Sequence, residues 1–254
     1  MTVFRGLAAG VAACVLGGVL AGVPAVASTG GPPGLRADDD NGIAGQSAAT
    51  IADRARTTMA AATSMRLDAQ IQDSAGTTGL DLQLDVDGNC AGVVTLPAQG
   101  GKAEMIKHGK DVWMKLDDTL LKAQVPGNAG DLAAKLINHR YIHGTTDNAM
   151  LGQFTSFCDL TEFRRGFTTK PVSEQLTKGG RTTVAGAPAI TVTSRHDDET
   201  GTYAVATEGK PYLLRAEVKD ADGKVQTAEF RDFDQPVPTK TPAADDTIEF
   251  NDLQ

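Results

Sequence analysis

The stretch Leu80-Asp81-Leu82-Gln83-Leu84-Asp85-Val86-Asp87 alternates apolar and polar side chains without a break. Successive side chains of an extended chain point to opposite faces, so a period of two predicts a strand with one buried face and one solvated face. Residues 66–72 show the same alternation, and Gly88-Asn89 supplies the turn into residues 90–96. We therefore predict that an antiparallel sheet begins here.

The same reasoning, extended outward, gives an α+β domain with an antiparallel sheet of about ten strands. Short strands with Gly-bearing turns are predicted at 90–96, 103–107, 112–115, 181–184, 189–194, 202–206, 212–219 and 224–230. Ser47 can cap an Ala-rich helix at 48–64. A helical insertion at 117–167 divides the sheet into two halves, with helices predicted at 117–124, 130–143, 148–157 and 159–167. An extended tail is predicted after Val237.

The first 27 residues have the pattern of a secretory signal. Arg5 is the only charge, an uncharged apolar run follows, and Ala25-Val26-Ala27 precedes Ser28 as a small-residue cleavage site. We expect cleavage after Ala27, export to the cell envelope or beyond, a flexible tether at 28–47 rich in Gly, Pro and Asp, and a single domain at 48–254. Two alternatives stay open: an uncleaved membrane anchor, and a lipid-modified Cys14 within Val11-Ala12-Ala13-Cys14.

Removal of the signal changes the cysteine count. The chain has three cysteines, and loss of Cys14 leaves Cys90 and Cys158. Two cysteines in an exported protein most often pair, so we predict a disulfide that fastens the helical insertion to the sheet. Two separately buried thiols are the alternative.

Composition excludes several classes of function. The formal net charge is −8, with 24 Lys and Arg against 32 Asp and Glu, which gives no basic surface for nucleic acid. Three cysteines and four histidines cannot build several zinc sites. The chain also lacks a G-x-S-x-G motif, a phosphate-binding loop and a dinucleotide fingerprint. We therefore expect no enzyme activity, no metal and no cofactor.

Two weaker signals for metal or acid–base chemistry have simpler explanations. His139 and His143 are four residues apart on a predicted helix, but no Glu lies between them, and solvent-facing histidines near a helix C-terminus are the better interpretation. The carboxylates in question occur at strand ends or turns, where Asp is common. They are Asp85, Asp87, Asp197, Asp198, Glu199, Asp220 and Asp222. Residues 220–224 resemble the start of a calcium loop but lack its later Glu.

The aliphatic rows of the sheet are the more informative feature. A sheet covered by helices on one face has either a plain core or a ligand cavity between the two layers. Cavities lined by aliphatic side chains and poor in aromatics suit acyl chains. The candidate lining residues are Leu67, Ile71, Leu80, Leu82, Leu84, Val86, Val112, Met114, Ile190, Val192, Tyr203 and Leu214.

The order of elements and several local stretches resemble a known family. The stretches lie at 101–115, 179–186, 203–205, 210–215 and 228–233, followed by Pro236-Val237-Pro238. Over residues 48–250 the chain is similar to the actinobacterial LolA-like superfamily that includes the LppX and LprG lipoproteins. The resemblance implies a strongly twisted half-barrel sheet that wraps helices and encloses a hydrophobic cavity.

The same resemblance implies a function. It implies a carrier of lipids or acylated small molecules across the cell envelope, or, as in other relatives, an envelope sensor that engages a partner protein. We also expect the protein to be a monomer. This chain departs from the family in two respects. Its signal ends in Ala-Val-Ala-Ser rather than in a lipobox. The Cys90–Cys158 pair cannot be placed on the best-known members and rests on the residues alone.

Overall fold

The structure, a computed structural model, describes residues 40–73, 76–96, 100–125, 127–168, 175–238 and 240–253. The predicted signal, Cys14 and most of the predicted tether lie outside the described residues, and the division of the chain at 27 and 47 stays a prediction. The last tether residues belong to the folded part. Ile43 is completely buried, and the side-chain amide of Asn41 donates to the carbonyl oxygens of Ala206 at 3.0 Å and Gly209 at 3.1 Å.

Helix α1 (Ala48–Ala61) follows this segment and confirms the first predicted helix. The Ser47 hydroxyl accepts the amide of Thr50 at 3.2 Å, so the predicted cap is present. Ile51, Ala55 and Met59 recur at helical spacing and are buried. The helix ends earlier than predicted because Ser64 already begins the first strand.

Twelve strands form one sheet among the described residues. In chain order they are β1 (Ser64–Asp73), β2 (Gly76–Asp85), β3 (Cys90–Leu96), β4 (Gly101–His108), β5 (Asp111–Leu116), β6 (Tyr141–Thr145), β7 (Gln175–Val184), β8 (Ala187–His196), β9 (Glu199–Ala206), β10 (Leu213–Lys219), β11 (Val225–Arg231) and β12 (Thr247–Glu249). The spatial order is β12-β6-β5-β4-β3-β2-β1-β11-β10-β9-β8-β7. All neighbours are antiparallel except β12 and β6, which run parallel.

The sheet consists of two meanders joined at their centre. Strands β1 to β6 follow one another in space, and so do β7 to β11. The two meanders meet where β1 pairs with β11, with Leu67 opposite Phe230 and Ala69 opposite Ala228. The prediction of an α+β fold with an antiparallel sheet in two halves is confirmed.

The insertion between β5 and β7 differs from the prediction. It contains α2 (Asp118–Gln124), α3 (Asn128–Ile137), α4 (Ala149–Thr155) and α5 (Leu160–Thr168), but strand β6 lies among them. The predicted helix at 130–143 is therefore wrong beyond residue 137. Asn138 and His139 have φ values of 48° and 58°, and this left-handed backbone ends the helix and turns the chain into β6.

The tail also contributes a strand that the sequence did not predict. Thr247–Glu249 pairs with β6 and forms one edge of the sheet, and β7 forms the other. The count of about ten strands is therefore corrected to twelve.

The two faces of the sheet have opposite characters. Helices cover the inner face, which carries a single hydrophobic core cluster shared by sheet and helices. The outer face is polar, and Arg66 donates twice to the carboxylate of Asp81 at 2.7 Å across β1 and β2. This hydrogen bond lowers the pKa of Asp81. Within the described ranges, no helix is both long and apolar enough to cross a membrane.

Candidate functional site

The residues predicted to line a ligand cavity lie on the inner face of the sheet or pack against its core cluster. Ten of them are buried: Leu67, Ile71, Leu80, Leu82, Leu84, Val112, Met114, Ile190, Val192 and Leu214. Val86 and Tyr203 are partly buried and pack against the same cluster. The structure thus brings the predicted set together, and a ligand space among these side chains stays a prediction.

The strand register explains this convergence. Leu67 lies opposite Leu82, and Leu82 lies opposite Gly92, so aligned side chains of neighbouring strands fall on one face. On the other half of the sheet, Val192 lies opposite Tyr203. Because the alternation has a period of two, each strand in this register places its apolar residues toward the helices.

Methionines contribute much of this surface, a feature that the sequence analysis did not use. Met59, Met65, Met105 and Met114 are four of the six methionines of the chain, and each is at most 1% exposed. Met105 and Met114 are cross-strand partners on β4 and β5. The thioether side chain is unbranched and adapts its shape to its neighbours, so this part of the inner face can repack more readily than an all-leucine surface.

A cover of short helices lies over the inner face. Leu120 and Leu121 of α2, Leu151 of α4, and Leu160 of α5 are buried in the shared cluster. Each of the four helices of the insertion has between seven and ten residues. The cover is therefore made of separate small units rather than one long helix.

A disulfide fastens this cover to the sheet. Cys90 at the start of β3 bonds to Cys158, which lies in a 3-10 turn between α4 and α5, and the two Cα atoms are 5.4 Å apart. Both cysteines are buried. The predicted bridge is present in the structure.

One cation lies at the rim of the apolar face. Lys107 is the cross-strand partner of both Cys90 and Val112, and its ammonium group donates to the carbonyl oxygen of Gly88. Partial burial lowers the pKa of Lys107, while Asp85 and Asp159 oppose this effect. The lysine is thus held beside the disulfide by a fixed acceptor.

The histidine and carboxylate motifs do not form a metal site. His139 lies after helix α3 and His143 lies on β6, so the two histidines do not share a helix as predicted. The Asp220 carboxylate accepts the amide of Lys224 at 2.9 Å, which closes the β10–β11 hairpin. In the part of the chain that the structure describes, no group of three or more His, Cys, Asp or Glu side chains is placed to hold a metal ion.

Similarity to solved structures identifies the fold. The crystal structure of LprF from Mycobacterium bovis matches with a TM-score of 0.53 at 12% identity, over 78% of this chain and 97% of that one. The chain has the LolA-like fold of LprF. The crystal structure of the lipoprotein LppX from Mycobacterium tuberculosis also matches, with a TM-score of 0.46 at 15% identity, over 76% of this chain and 98% of that one.

The LolA-like fold confirms the resemblance inferred from the sequence at the level of architecture. No protein-family model and no curated protein matches the sequence. The LprF match covers nearly the whole of LprF. Fold alone does not assign a function, so the function has to be argued from the site.

Proposed function

We propose that this protein is exported and binds lipid or another acylated molecule between the inner face of its LolA-like sheet and the helical cover, without chemical transformation. The observation that carries the proposal is the continuous aliphatic and methionine-rich inner face beneath a cover of short helices. Such a surface offers an acyl chain dispersion contacts and few polar groups.

The attachment of the cover supports the same function. Arg164 of α5 donates to the carbonyl oxygen of Ala60 at 2.5 Å, and the disulfide joins the turn before α5 to β3. Helices α2 and α3 lie outside residues 158–164, and the start of α2 is held to β4, where the Asp117 carboxylate accepts the amide of Lys102 at 2.8 Å. Segments that open for ligands are usually those of low local stability, and short helices packed on each other fit this requirement.

Two exposed leucines mark a route toward the inner face. Leu132 and Leu136 of α3 are 66% and 56% exposed, one helical turn apart, while Ile137 beside them is buried. An apolar stripe that runs from solvent into the core gives an acyl chain a continuous apolar path. We assign the α2–α3 pair to ligand entry.

Mass spectrometry under native conditions tests the proposal. Protein purified without detergent from an exporting host should carry additional mass at about one equivalent, and organic extraction should release it as lipid. A fluorescent fatty acid should then rebind to the extracted protein. Protein that is homogeneous without added mass and does not take up the fatty acid would contradict the proposal.

A substitution that enlarges a side chain on the inner face distinguishes a ligand cavity from a fully packed core. Leu82→Phe enlarges a side chain at the centre of the inner face, and Thr202→Phe on the exposed outer face is the matched control. With a ligand space, Leu82→Phe should keep its melting temperature and lose fatty-acid binding, while Thr202→Phe keeps both. In a fully packed core the same change should cost about 1–3 kcal/mol of unfolding free energy.

An envelope interaction domain with the same fold is the second candidate. The exposed pair Leu132 and Leu136 favours it, since exposed apolar patches also mark protein interfaces. This candidate predicts that Leu132→Ser with Leu136→Ser abolishes capture of an envelope protein while native protein carries no lipid. Lipid-loaded protein whose loading slows in the double variant supports the carrier instead.

A further inference from the structure

A cleft of about 550 Å³ lies at the end of the sheet formed by β5, β6 and β12. Its lining residues are Trp113, Arg140, His143, Pro242, Ala244, Thr247, Ile248, Glu249 and Asp252. Trp113 and His143 belong to the outer face, because their strand neighbours Val112, Met114 and Ile142 are buried on the inner face. The cleft is therefore separate from the proposed lipid site.

The wall of the cleft is aromatic. Trp113, the only tryptophan of the chain, lies opposite His143 across β5 and β6. The two rings are stacked, with centroids 4.6 Å apart and planes inclined by 20°. A half-buried indole held by a neighbouring ring is a rigid platform with little entropy to lose on binding.

Hydrogen bonds fix the imidazole from both sides. Glu249 of β12 contacts Nδ1 of His143 at 2.9 and 3.0 Å, and Asp111 of β5 contacts Nε2 at 3.3 Å. Residues separated by 106 positions in the chain are thus joined at one point. Strand β12 lines the cleft and presents the carboxylate of Glu249 there.

Arg140 supplies a fixed donor group. Its Nε donates to the carbonyl oxygen of Ile137 at 3.1 Å and its Nη2 to that of Leu136 at 2.8 Å, at the C-terminal end of α3. A guanidinium has five N–H donors, so this anchoring leaves further donors for a ligand in the cleft. Asp252 adds an exposed carboxylate to the lining of the cleft.

We infer that the cleft binds a carbohydrate. A simple anion would meet Glu249 and Asp252, and a simple cation would meet Arg140, so the mixed charges disfavour both. Hydroxyl groups donate and accept, and a sugar can satisfy the carboxylates and the guanidinium together. The C–H face of the sugar ring contacts the indole and the apolar wall of Pro242, Ala244 and Ile248.

The single tryptophan makes the inference directly measurable. Fluorescence of Trp113 reports on this cleft alone, and the full chain can be titrated with maltotriose, trehalose and N,N′-diacetylchitobiose. At least one of these probes should give a saturable change in emission at millimolar concentration or below. A second titration uses vesicles that contain digalactosyl diacylglycerol. Binding to these vesicles alone would identify the ligand as a glycolipid headgroup. Binding of the free sugar would identify it as a soluble or wall glycan.

Three variants test whether the sugar binds in this cleft. Trp113→Ala, measured by calorimetry, and Arg140→Gln should each weaken the sugar by at least about tenfold. Asp252→Asn changes an exposed side chain and should weaken it severalfold without altering the melting temperature, which keeps the test valid if Trp113→Ala fails to fold. Thr202→Phe, on the outer face of β9, is the control and should bind as the wild type.

Two results would overturn the inference. One is the absence of a saturable response to every sugar and to the glycolipid vesicles. The other is a response to free amino acids or dipeptides in place of sugars, since zwitterions also complement a mixed-charge cleft. Either result can occur with lipid binding at the inner face intact, so this test is independent of the proposed function.

Discussion

Asp234 joins three separate parts of the chain through one carboxylate. It accepts hydrogen bonds from the Lys210 ammonium at 2.8 Å, the Tyr212 hydroxyl at 2.6 Å and the Thr63 amide at 2.9 Å. These hydrogen bonds lower the pKa of Asp234 well below its usual value, and the bond from Lys210 has the largest effect. Tyr212 in turn stacks on Phe233 with ring centroids 3.8 Å apart. The carboxylate thereby fixes the start of β1 against the end of β11.

Asp234→Asn should lower the unfolding free energy by about 1–2 kcal/mol at pH 7, because the Lys210 ammonium and the neutral donors of Tyr212 and Thr63 lose their charged acceptor. A carboxyl whose folded pKa is depressed stabilises the protein above its unfolded pKa of about 3.9, and this contribution is lost as the pH falls through the folded pKa. The difference between wild type and variant should therefore shrink from pH 5 toward pH 2. Thermal melts across this range measure it, with the exposed turn variant Asp222→Asn as the control. A difference that stays constant with pH would contradict the assignment.

Gly92 has a backbone requirement that no other residue meets. Its φ is 152°, and a Cβ at this position would collide with the carbonyl oxygen of Asp81 on the neighbouring strand. The side-chain-free position lets β2 and β3 approach closely at the centre of the inner face.

Gly92→Ala should destabilise the domain by more than about 3 kcal/mol or prevent folding, because both the backbone angle and the strand spacing oppose a methyl group. Gly180→Ala is the matched control. It also lies in a strand, but a Cβ there meets no atom within 4 Å. Expression as soluble protein and denaturant midpoints compare the two variants. Equal unfolding free energies of the two variants would show that β2 and β3 can move apart without destabilising the domain.

At the scale of elements, the disulfide is the covalent link between the cover and the sheet. It closes a loop of 68 residues that contains β3, β4, β5, β6 and the first three helices of the insertion. Replacement of both Cys90 and Cys158 by Ala should cost about 2–4 kcal/mol, because the unfolded chain regains the freedom that the bridge removes. Denaturant unfolding of the variant and of wild type measures the loss.

Mass spectrometry without reductant provides the check on this prediction. In the wild type, neither Cys90 nor Cys158 should be alkylated until the protein is unfolded and reduced. Two free thiols in the folded protein would refute the bridge. An unchanged denaturant midpoint in the double variant would show instead that packing alone holds the cover.

Helix α3 shows why part of the insertion could not be predicted. Leu132, Leu136 and Ile137 continue a helical pattern toward His143, and the pattern gives no reason to stop at 137. The helix ends because Asn138 adopts left-handed backbone, which Asn tolerates better than most residues. Asn138 was the available sequence signal, and strand β6 follows from pairing with β5 rather than from its own pattern.

At the scale of the whole molecule, a ligand on the inner face would join the two meanders and the cover. Binding to the folded state alone raises stability with ligand concentration, by about 2.7 kcal/mol at a hundredfold excess over the dissociation constant. For a domain of this size we expect the melting temperature of extracted protein to rise by about 5–10 °C on reloading with a fatty acid.

The Leu82→Phe variant serves as the control for this shift. It should melt at the same temperature with and without the fatty acid. An equal rise in this variant would place the fatty acid outside the inner face. If the melting temperature of the wild type does not rise with the fatty acid, a specific fatty-acid site on the inner face is contradicted.

The sequence by itself determined the local geometry of this protein. The period of two in β2, the capped helix after Ser47 and the pairing of Cys90 with Cys158 all follow from residues that are close in the chain or from a simple count. Strand and helix periodicities are set by backbone hydrogen bonding, so neighbouring residues suffice to reveal them. The apolar inner face could be predicted for the same reason.

Only the tertiary structure decided which distant segments meet. The pairing of β1 with β11, the addition of β12 to β6 and the contact between His143 and Glu249 depend on packing across the whole domain. A three-residue strand such as β12 has too few residues for a pattern and is stable only against an existing edge. The cleft around Trp113 arises from that contact, which is why the sequence predicted the inner face and missed the outer site.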